Sequence, residues 1–224
     1  MLFALVILFY WLVTPLVSYF SAKGYLINGS MVLLYISAAF LVGLPFSIFG
    51  ALASASPNLS VTFAALGLLI SSAFQLLGAT QASFGSVPVE HKNRKLRILL
   101  VLGGVLVLSL LSLLATYFGV LPPFFEENLG TTLIDQLAYT FIITFFLLGS
   151  LLYLRLYFKT KSKTLYMYSL GLMLYSIGTF GLTQQLVFGD VVVWLGRATT
   201  YVGLLYFLYA FWSSRQKATQ NGAP

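Results

Sequence analysis

Charged residues are scarce in this chain. Aspartate, glutamate, lysine and arginine make up 8% of its 224 residues, whereas hydrophobic residues make up 59%. A soluble domain carries about 25% charged residues, so this composition excludes a soluble globular fold. The mean hydropathy of +0.95 is typical of an integral membrane protein, whose principal partner is the lipid bilayer.

Cysteine is absent, and the single histidine is His91. The absence of cysteine excludes disulfide bonds, thiol catalysis and cysteine-ligated iron–sulfur centres. One histidine excludes a haem held by two histidines of the same chain and argues against a zinc site. The apolar segments also lack an HExxH motif, a nucleophile elbow and a carboxylate pair. The sequence therefore predicts no enzyme, no cofactor and no metal site.

Seven apolar segments are each long enough to cross roughly 30 Å of hydrocarbon as a helix. The first has no basic residues ahead of it, so we expect a retained span rather than a cleaved signal peptide. We predict an all-α membrane protein, with a single seven-helix transmembrane bundle over residues 1–213 and a short tail over 214–224. The predicted spans are about 2–20, 31–52, 60–82, 96–118, 132–157, 164–186 and 191–212.

Basic residues are concentrated in alternate connections. They follow segments one, three, five and seven, whereas the acidic residues Glu126, Glu127, Asp135 and Asp190 fall on the other side. Since cytoplasmic loops carry the excess of lysine and arginine, this predicts an external N-terminus and a cytoplasmic C-terminus in the cell membrane. The net charge of +7 is then a topology signal and does not indicate a nucleic-acid partner.

One charge lies inside the seventh segment. Arg197 is about six residues, or roughly 9 Å, from the start of that segment. An arginine within the hydrocarbon usually faces the bundle interior and is a functional-site hypothesis by default. Trp194 and Tyr201 lie about one turn away on the same helical face. The planar fork of donors on arginine suits an anionic or carbonyl-bearing ligand.

Three further polar residues are predicted near that depth. Asp135 lies in the first turn of the fifth segment, Tyr139 follows one turn deeper, and Gln184 ends the sixth segment on the same side. Together with Arg197 they predict an outward-facing pocket between segments five, six and seven for a small anionic or lipid-like molecule. Two other interpretations stay open: a structural ion pair between Arg197 and Asp135, or an Arg197 that reaches the outer headgroups.

Glycines recur at heptad spacing in the last two segments. Gly171 and Gly178 are one heptad apart, as are Gly196 and Gly203. Small residues at this spacing let two membrane helices approach closely. We therefore predict close packing between these segments rather than a ligand site.

Two known seven-span architectures fit the sequence poorly. A retinal protein needs a lysine in the last segment, where this chain offers Arg197. A carrier of the three-plus-one-plus-three type would show a repeat between its halves. We find none between residues 1–80 and 132–212, because prolines occur in the first two segments but in none of the last three.

The second half of the chain carries three features that resemble a known family. LPPFFEENLGTT precedes the fifth segment, Tyr139 follows in its first turns, and WLGRATTYVGLLYFLYAFW forms the seventh. Over about residues 110–212 the chain is similar to seven-span membrane-associated sensor domains (the MASE3-like group) of bacterial and archaeal histidine kinases and diguanylate cyclases. Those domains commonly have Leu-Gly-His or Leu-Gly-Arg where this chain has Leu-Gly-Arg ending at Arg197. The arginine argues against histidine-dependent sensing.

The resemblance implies a signal-input bundle. The sequence ends about a dozen residues after the seventh segment, so the output is expected to be carried by a separate membrane or cytoplasmic protein partner or by a domain outside this sequence. We therefore predict a non-enzymatic sensor or receptor. An accessory structural subunit of a larger membrane complex is the alternative. A small transporter is a weaker one, because the sequence supplies little for a continuous polar path apart from Ser71, Ser72 and Gln75.

Overall fold

A computed structural model describes residues 2–53, 55–85, 88–126, 130–183 and 190–220, without the side chains of 2–9, 190 and 213–220. Within these ranges the chain forms seven helices and one short antiparallel ribbon, in which Phe125 pairs with Thr131. The helices are α1 (Leu2–Asn28), α2 (Met31–Leu52), α3 (Pro57–Phe84), α4 (His91–Tyr117), α5 (Leu133–Thr160), α6 (Lys163–Thr183) and α7 (Asp190–Gln220), and the strands are β1 (Phe125–Glu126) and β2 (Gly130–Thr131).

Six of the helices in the described ranges, α2 to α7, are long and apolar enough to cross a membrane. The prediction of an all-α, multi-pass membrane protein is confirmed at this level. The helices extend beyond several predicted spans because helical backbone hydrogen bonds are satisfied internally and continue into the membrane interface. In particular, Lys23 and Asn28, which lie between the first two predicted spans, belong to the last turns of α1.

Two hairpins of the bundle have the same local structure. In the α1–α2 hairpin, Ser18 and Ser37 each donate a hydroxyl hydrogen bond to the backbone carbonyl of the other, at 3.0 and 2.9 Å. Ser150 and Ser169 do the same in the α5–α6 hairpin, both at 2.9 Å. In each hairpin the two serines are 19 positions apart. The first serines of the two pairs are 132 positions apart (150 − 18), as are the second serines (169 − 37).

The turns of these hairpins match at the same offset. Gly29 ends α1 with a φ of 69°, and Lys161, 132 positions later (161 − 29), ends α5 with a φ of 56°. The turn therefore uses a left-handed residue in both hairpins, and only the first is a glycine, the residue that adopts this conformation most easily. The prediction that the two halves lack a repeat was wrong, because the repeat lies in the hairpin geometry and not in the prolines.

The bundle consists of two three-helix units and a linking helix. α2 packs between α1 and α3 in the first unit, and α6 packs between α5 and α7 in the second. The units contact each other through α3 and α5 and through α1 and α7, while α4 packs against the first unit. Successive helices alternate in direction, and α5 comes four helices after α1, so α1 and α5 run in the same direction. We refer to the end where α3, α5 and α7 begin as the mouth end and to the opposite end, rich in lysine and arginine, as the basic end.

The glycines of α6 and α7 lie against each other. A Cβ atom added to Gly178 or to Gly196 would lie 2.7 Å from the carbonyl oxygen of the other residue. Nearer the basic end, a Cβ on Gly203 would lie 2.9 Å from the carbonyl oxygen of Gly171. No side chain larger than a hydrogen atom fits between the two backbones at these points, so the predicted close packing of these helices is confirmed.

Arg94 of α4 caps the end of α1. Its guanidinium donates to the carbonyl oxygens of Leu26 at 2.9 Å and Ile27 at 2.6 Å, and to that of Val89 at 2.8 Å. The last carbonyls of a helix have no partner within the helix, and a charged donor satisfies them well. A residue predicted only as a topology signal therefore fixes α4 to the first unit.

Asn58 holds the α4–α5 connection to the mouth end of α3. Its side-chain oxygen accepts hydrogen bonds from the backbone N–H groups of Phe124 and Phe125, both at 3.1 Å. The ring of Phe124 is buried with Ala65 of α3 and Ala138 of α5. The ribbon is thus anchored over the contact between the two units.

Candidate ligand site

Two adjoining cavities lie between the units. The deep cavity has a volume of about 150 Å³ and the mouth cavity one of about 200 Å³. Both are lined by Tyr10, Ser47, Leu182 and Thr200, so one continues into the other. Side chains of α1, α2, α3, α5, α6 and α7 line the deep cavity.

The mouth cavity has a cation at its rim. Arg197 is half-buried there, beside Tyr201 and Trp11. The guanidinium carbon of Arg197 lies 5.0 Å from the centre of the Trp194 ring, a cation–π contact that holds the side chain in place. The indole N–H of Trp11 donates to the Ser47 hydroxyl at 3.1 Å, which fixes α1 against α2. The mouth therefore presents a positioned cation between aromatic side chains.

The deep cavity is mainly apolar with a few hydroxyl groups. The Thr179 and Thr200 hydroxyls donate to backbone carbonyls of their own helices, at 2.8 and 3.0 Å, and retain their acceptor lone pairs. Lining residues occur in pairs 132 positions apart, one from each unit. The pairs are Gly43 with Tyr175, Ser47 with Thr179, Leu68 with Thr200, and Gln75 with Phe207. The cavity therefore lies where the two repeats face each other.

Buried side chains close the bundle between the deep cavity and the basic end. The Tyr168 hydroxyl donates to the side-chain oxygen of Gln75 at 2.6 Å. Its ring centre lies 5.1 Å from that of Tyr153 and 4.9 Å from that of Phe207. Phe40 meets Phe207 edge-on at 5.2 Å. These five residues, which we call the plug, join α2 and α3 of the first unit to α5, α6 and α7 of the second.

The structure brings some of the predicted site residues together and separates others. Arg197, Tyr201 and Trp194 meet at the mouth. Asp135 lies in the first turn of α5, and no ion pair joins it to Arg197 among the residues that the structure describes. Tyr139 packs among residues of α3 and α5. Gln184 lies outside the described residues.

The predicted pocket between spans five, six and seven is therefore replaced by a cavity between two units. α6 packs against both α5, which carries Asp135, and α7, which carries Arg197. Arg197 lines the mouth cavity, whereas Asp135 lines neither cavity. Asp135 is 3% exposed, and no hydrogen-bond donor among the described residues reaches its Oδ1 atom. Its backbone N–H donates to the Thr132 hydroxyl at 3.4 Å, a weak helix cap.

Sequence reasoning missed Tyr10, Gly43 and Tyr175 as cavity residues. A Cβ on Gly43 would lie 2.6 Å from the Tyr10 hydroxyl, so the absence of a side chain makes room for Tyr10. The available signal was the tyrosine itself, because a phenol within a membrane span needs a polar neighbour or a water-filled space. The arrangement of the helices in space decides which span supplies that neighbour, and hydropathy does not give this arrangement.

No family model, curated protein or solved structure matches this chain. Its function is therefore inferred from the geometry of the cavities.

Proposed function

We propose that this protein is a non-enzymatic sensor or receptor that binds a small molecule between its two units. Arg197 at the rim of a cavity is the observation that carries the proposal. Its guanidinium pairs with an anionic group of the ligand, and the deep cavity receives an apolar, preferably aromatic, part. A cavity of about 150 Å³ is large enough for a benzene-sized group.

The chain crosses the cell membrane seven times in this proposal. α1 has 27 residues and forms the same hairpin with α2 as α5, a helix apolar enough to span, forms with α6. With seven spans, the excess of lysine and arginine at the basic end orients the N-terminus outward and the C-terminus toward the cytoplasm. The mouth then opens on the outer side, toward extracellular or outer-leaflet molecules.

Binding is converted to a signal by a shift between the units. A ligand in the mouth cavity contacts α7 and α6 of one unit and α1 and α2 of the other, so it stabilises the arrangement in which all four are correctly spaced. A membrane or cytoplasmic partner reads that arrangement at the basic end. The resemblance to membrane-associated sensor domains supports this role.

A matched pair of probes tests the site. Benzenesulfonate has a permanent anionic group on a benzene ring, and benzenesulfonamide has nearly the same shape without the charge. A ligand that binds only the folded state stabilises it by about 2.7 kcal/mol at one hundred times its Kd. We expect benzenesulfonate, and not the sulfonamide, to raise the Tm of the detergent-solubilised protein by several degrees.

The variant Arg197→Gln should lose this shift, with Arg197→Lys retaining part of it. Arg155→Gln is the matched control, because Arg155 is exposed near the basic end and away from the cavities. Equal shifts with the charged and neutral probes, or an undiminished shift in Arg197→Gln, would contradict the proposed site.

A further inference from the structure

We propose that the protein is a carrier, in which the two three-helix units rock against each other and expose the cavity alternately at the mouth end and at the basic end. This activity rests on the proposed ligand site and extends it from binding to transport. The solute is the same in kind: a small anion with an apolar or aromatic part, recognised by Arg197.

The repeat is the first argument. The two three-helix units run in the same direction and are linked by a single helix, so an axis along the membrane normal relates them. Repeats of this kind support alternating access in known carrier folds. Here the pairs Ser47 with Thr179 and Gln75 with Phe207 show that equivalent positions of both units line one cavity. A receptor needs no such equivalence between the walls of its site.

The rigidity of each unit is the second argument. Reciprocal serine bonds join α1 to α2 and α5 to α6, and the contact between α6 and α7 is so close that Gly178 and Gly196 admit no side chain. Between the units, α3 and α5 pack closely, whereas α1 and α7 enclose the mouth cavity and touch little. A close contact on one side of the boundary and a sparse contact on the other permit the two units to pivot about α3 and α5.

The plug is the third argument. It is built from side chains of both units, and its one hydrogen bond, from Tyr168 to Gln75, crosses the boundary at 2.6 Å. Opening the plug separates aromatic edge contacts and one side-chain hydrogen bond, and it breaks no backbone hydrogen bond. When the units rock, water replaces Tyr168 as the hydrogen-bond partner of the Gln75 side chain, and the cavity opens toward the basic end.

The absence of cysteine from the chain makes this testable without background labelling. Ala79 of α3 and Ala210 of α7 are fully buried beside the plug, and each is changed singly to cysteine. Ala38→Cys is the matched control, because Ala38 is equally buried but packs among α2, α3 and α4. Phe84→Cys, 89% exposed at the basic end, reports which vesicle face presents that end to an impermeant maleimide.

We expect the plug cysteines to react from the basic-end face at least about tenfold faster than Ala38→Cys. Tyr168→Phe should raise their rate about five- to tenfold, the population change that follows loss of one buried hydrogen bond. Phe40→Leu, which removes the edge contact with Phe207, is a second variant that should raise the labelling rate of the plug cysteines. Plug cysteines that react no faster than Ala38→Cys overturn the proposal.

Mutual exclusion distinguishes a carrier from a loosened receptor. In the double variant Ser47→Cys with Ala79→Cys, a bulky maleimide is first attached from the basic-end face, which holds the plug open. A carrier then protects Ser47→Cys from a second reagent at the mouth, by about tenfold against the unmodified protein. Unchanged reactivity at the mouth overturns the carrier. Benzenesulfonate binding is measured apart from this, so loss of the ligand site and loss of the carrier give different results.

Discussion

The contact between α6 and α7 allows a quantitative prediction for Gly178→Ala. The new methyl carbon would lie 2.7 Å from the carbonyl oxygen of Gly196 and 2.9 Å from the backbone nitrogen of Thr200, whereas ordinary contact begins at 3.4 Å. The atom nearest to the new methyl carbon is the Thr200 hydroxyl oxygen, a side-chain atom that must also move. The other two obstacles are backbone atoms, so the helices must separate by about 0.7 Å, and a gap of that size removes roughly a quarter to a half of the dispersion attraction across it. We expect the free energy of unfolding to fall by about 1–3 kcal/mol, although alanine favours a helix more than glycine does.

The measurement is thermal unfolding in detergent, followed by circular dichroism. Gly103→Ala in α4 is the matched control, because no described atom lies within 4 Å of a Cβ built there. It should leave the stability unchanged or raise it by up to about 1 kcal/mol. Combining Gly178→Ala with Gly196→Ala should cost less than the sum of the single changes, since one separation relieves both clashes. Equal stability of Gly178→Ala and Gly103→Ala would refute the close approach of the two helices.

Three further changes test other parts of the fold by the same unfolding assay. Asn58→Ala should cost about 1–3 kcal/mol by releasing two backbone N–H groups, while Asn58→Asp, which keeps an acceptor, should cost less; equal losses would contradict the anchor. Arg94→Ala should destabilise the protein by a similar amount because carbonyls at the end of α1 lose their donor, and the exposed Lys95→Ala should change little. Asp135→Asn should alter stability by less than about 1 kcal/mol, whereas an ion pair with Arg197 would make the loss about 3–5 kcal/mol.

The class of the fold could be predicted because long apolar runs have few structural solutions in a bilayer. The α6–α7 contact was also predictable, because each of the two helices carries glycines at heptad spacing. The C-terminal end of α1 was predicted poorly, at residue 20 instead of Asn28. Its last turns are polar, and their helical form depends on a cap from Arg94 that lies far away in sequence.

The position of the cavity could not be predicted in the same way. Hydropathy gives the number of spans but neither their order in space nor their rotation, so Asp135 and Arg197, similar in depth, were assigned to one pocket. The repeat was hidden for a related reason. The shared positions are a few serines and a turn, whereas Pro15 stands opposite Leu147 and Pro45 opposite Ile177 at the common offset.

Arg94 also bears on the order in which the protein is assembled during synthesis. Its hydrogen bonds to Leu26 and Ile27 join residues 68 and 67 positions apart, and chains emerge from the ribosome N-terminus first. The carbonyl groups at the end of α1 therefore lack this donor until α2, α3 and the first turn of α4 have been made. Because Arg94 precedes every residue of α5, the donor that caps α1 is synthesised before any part of the second unit.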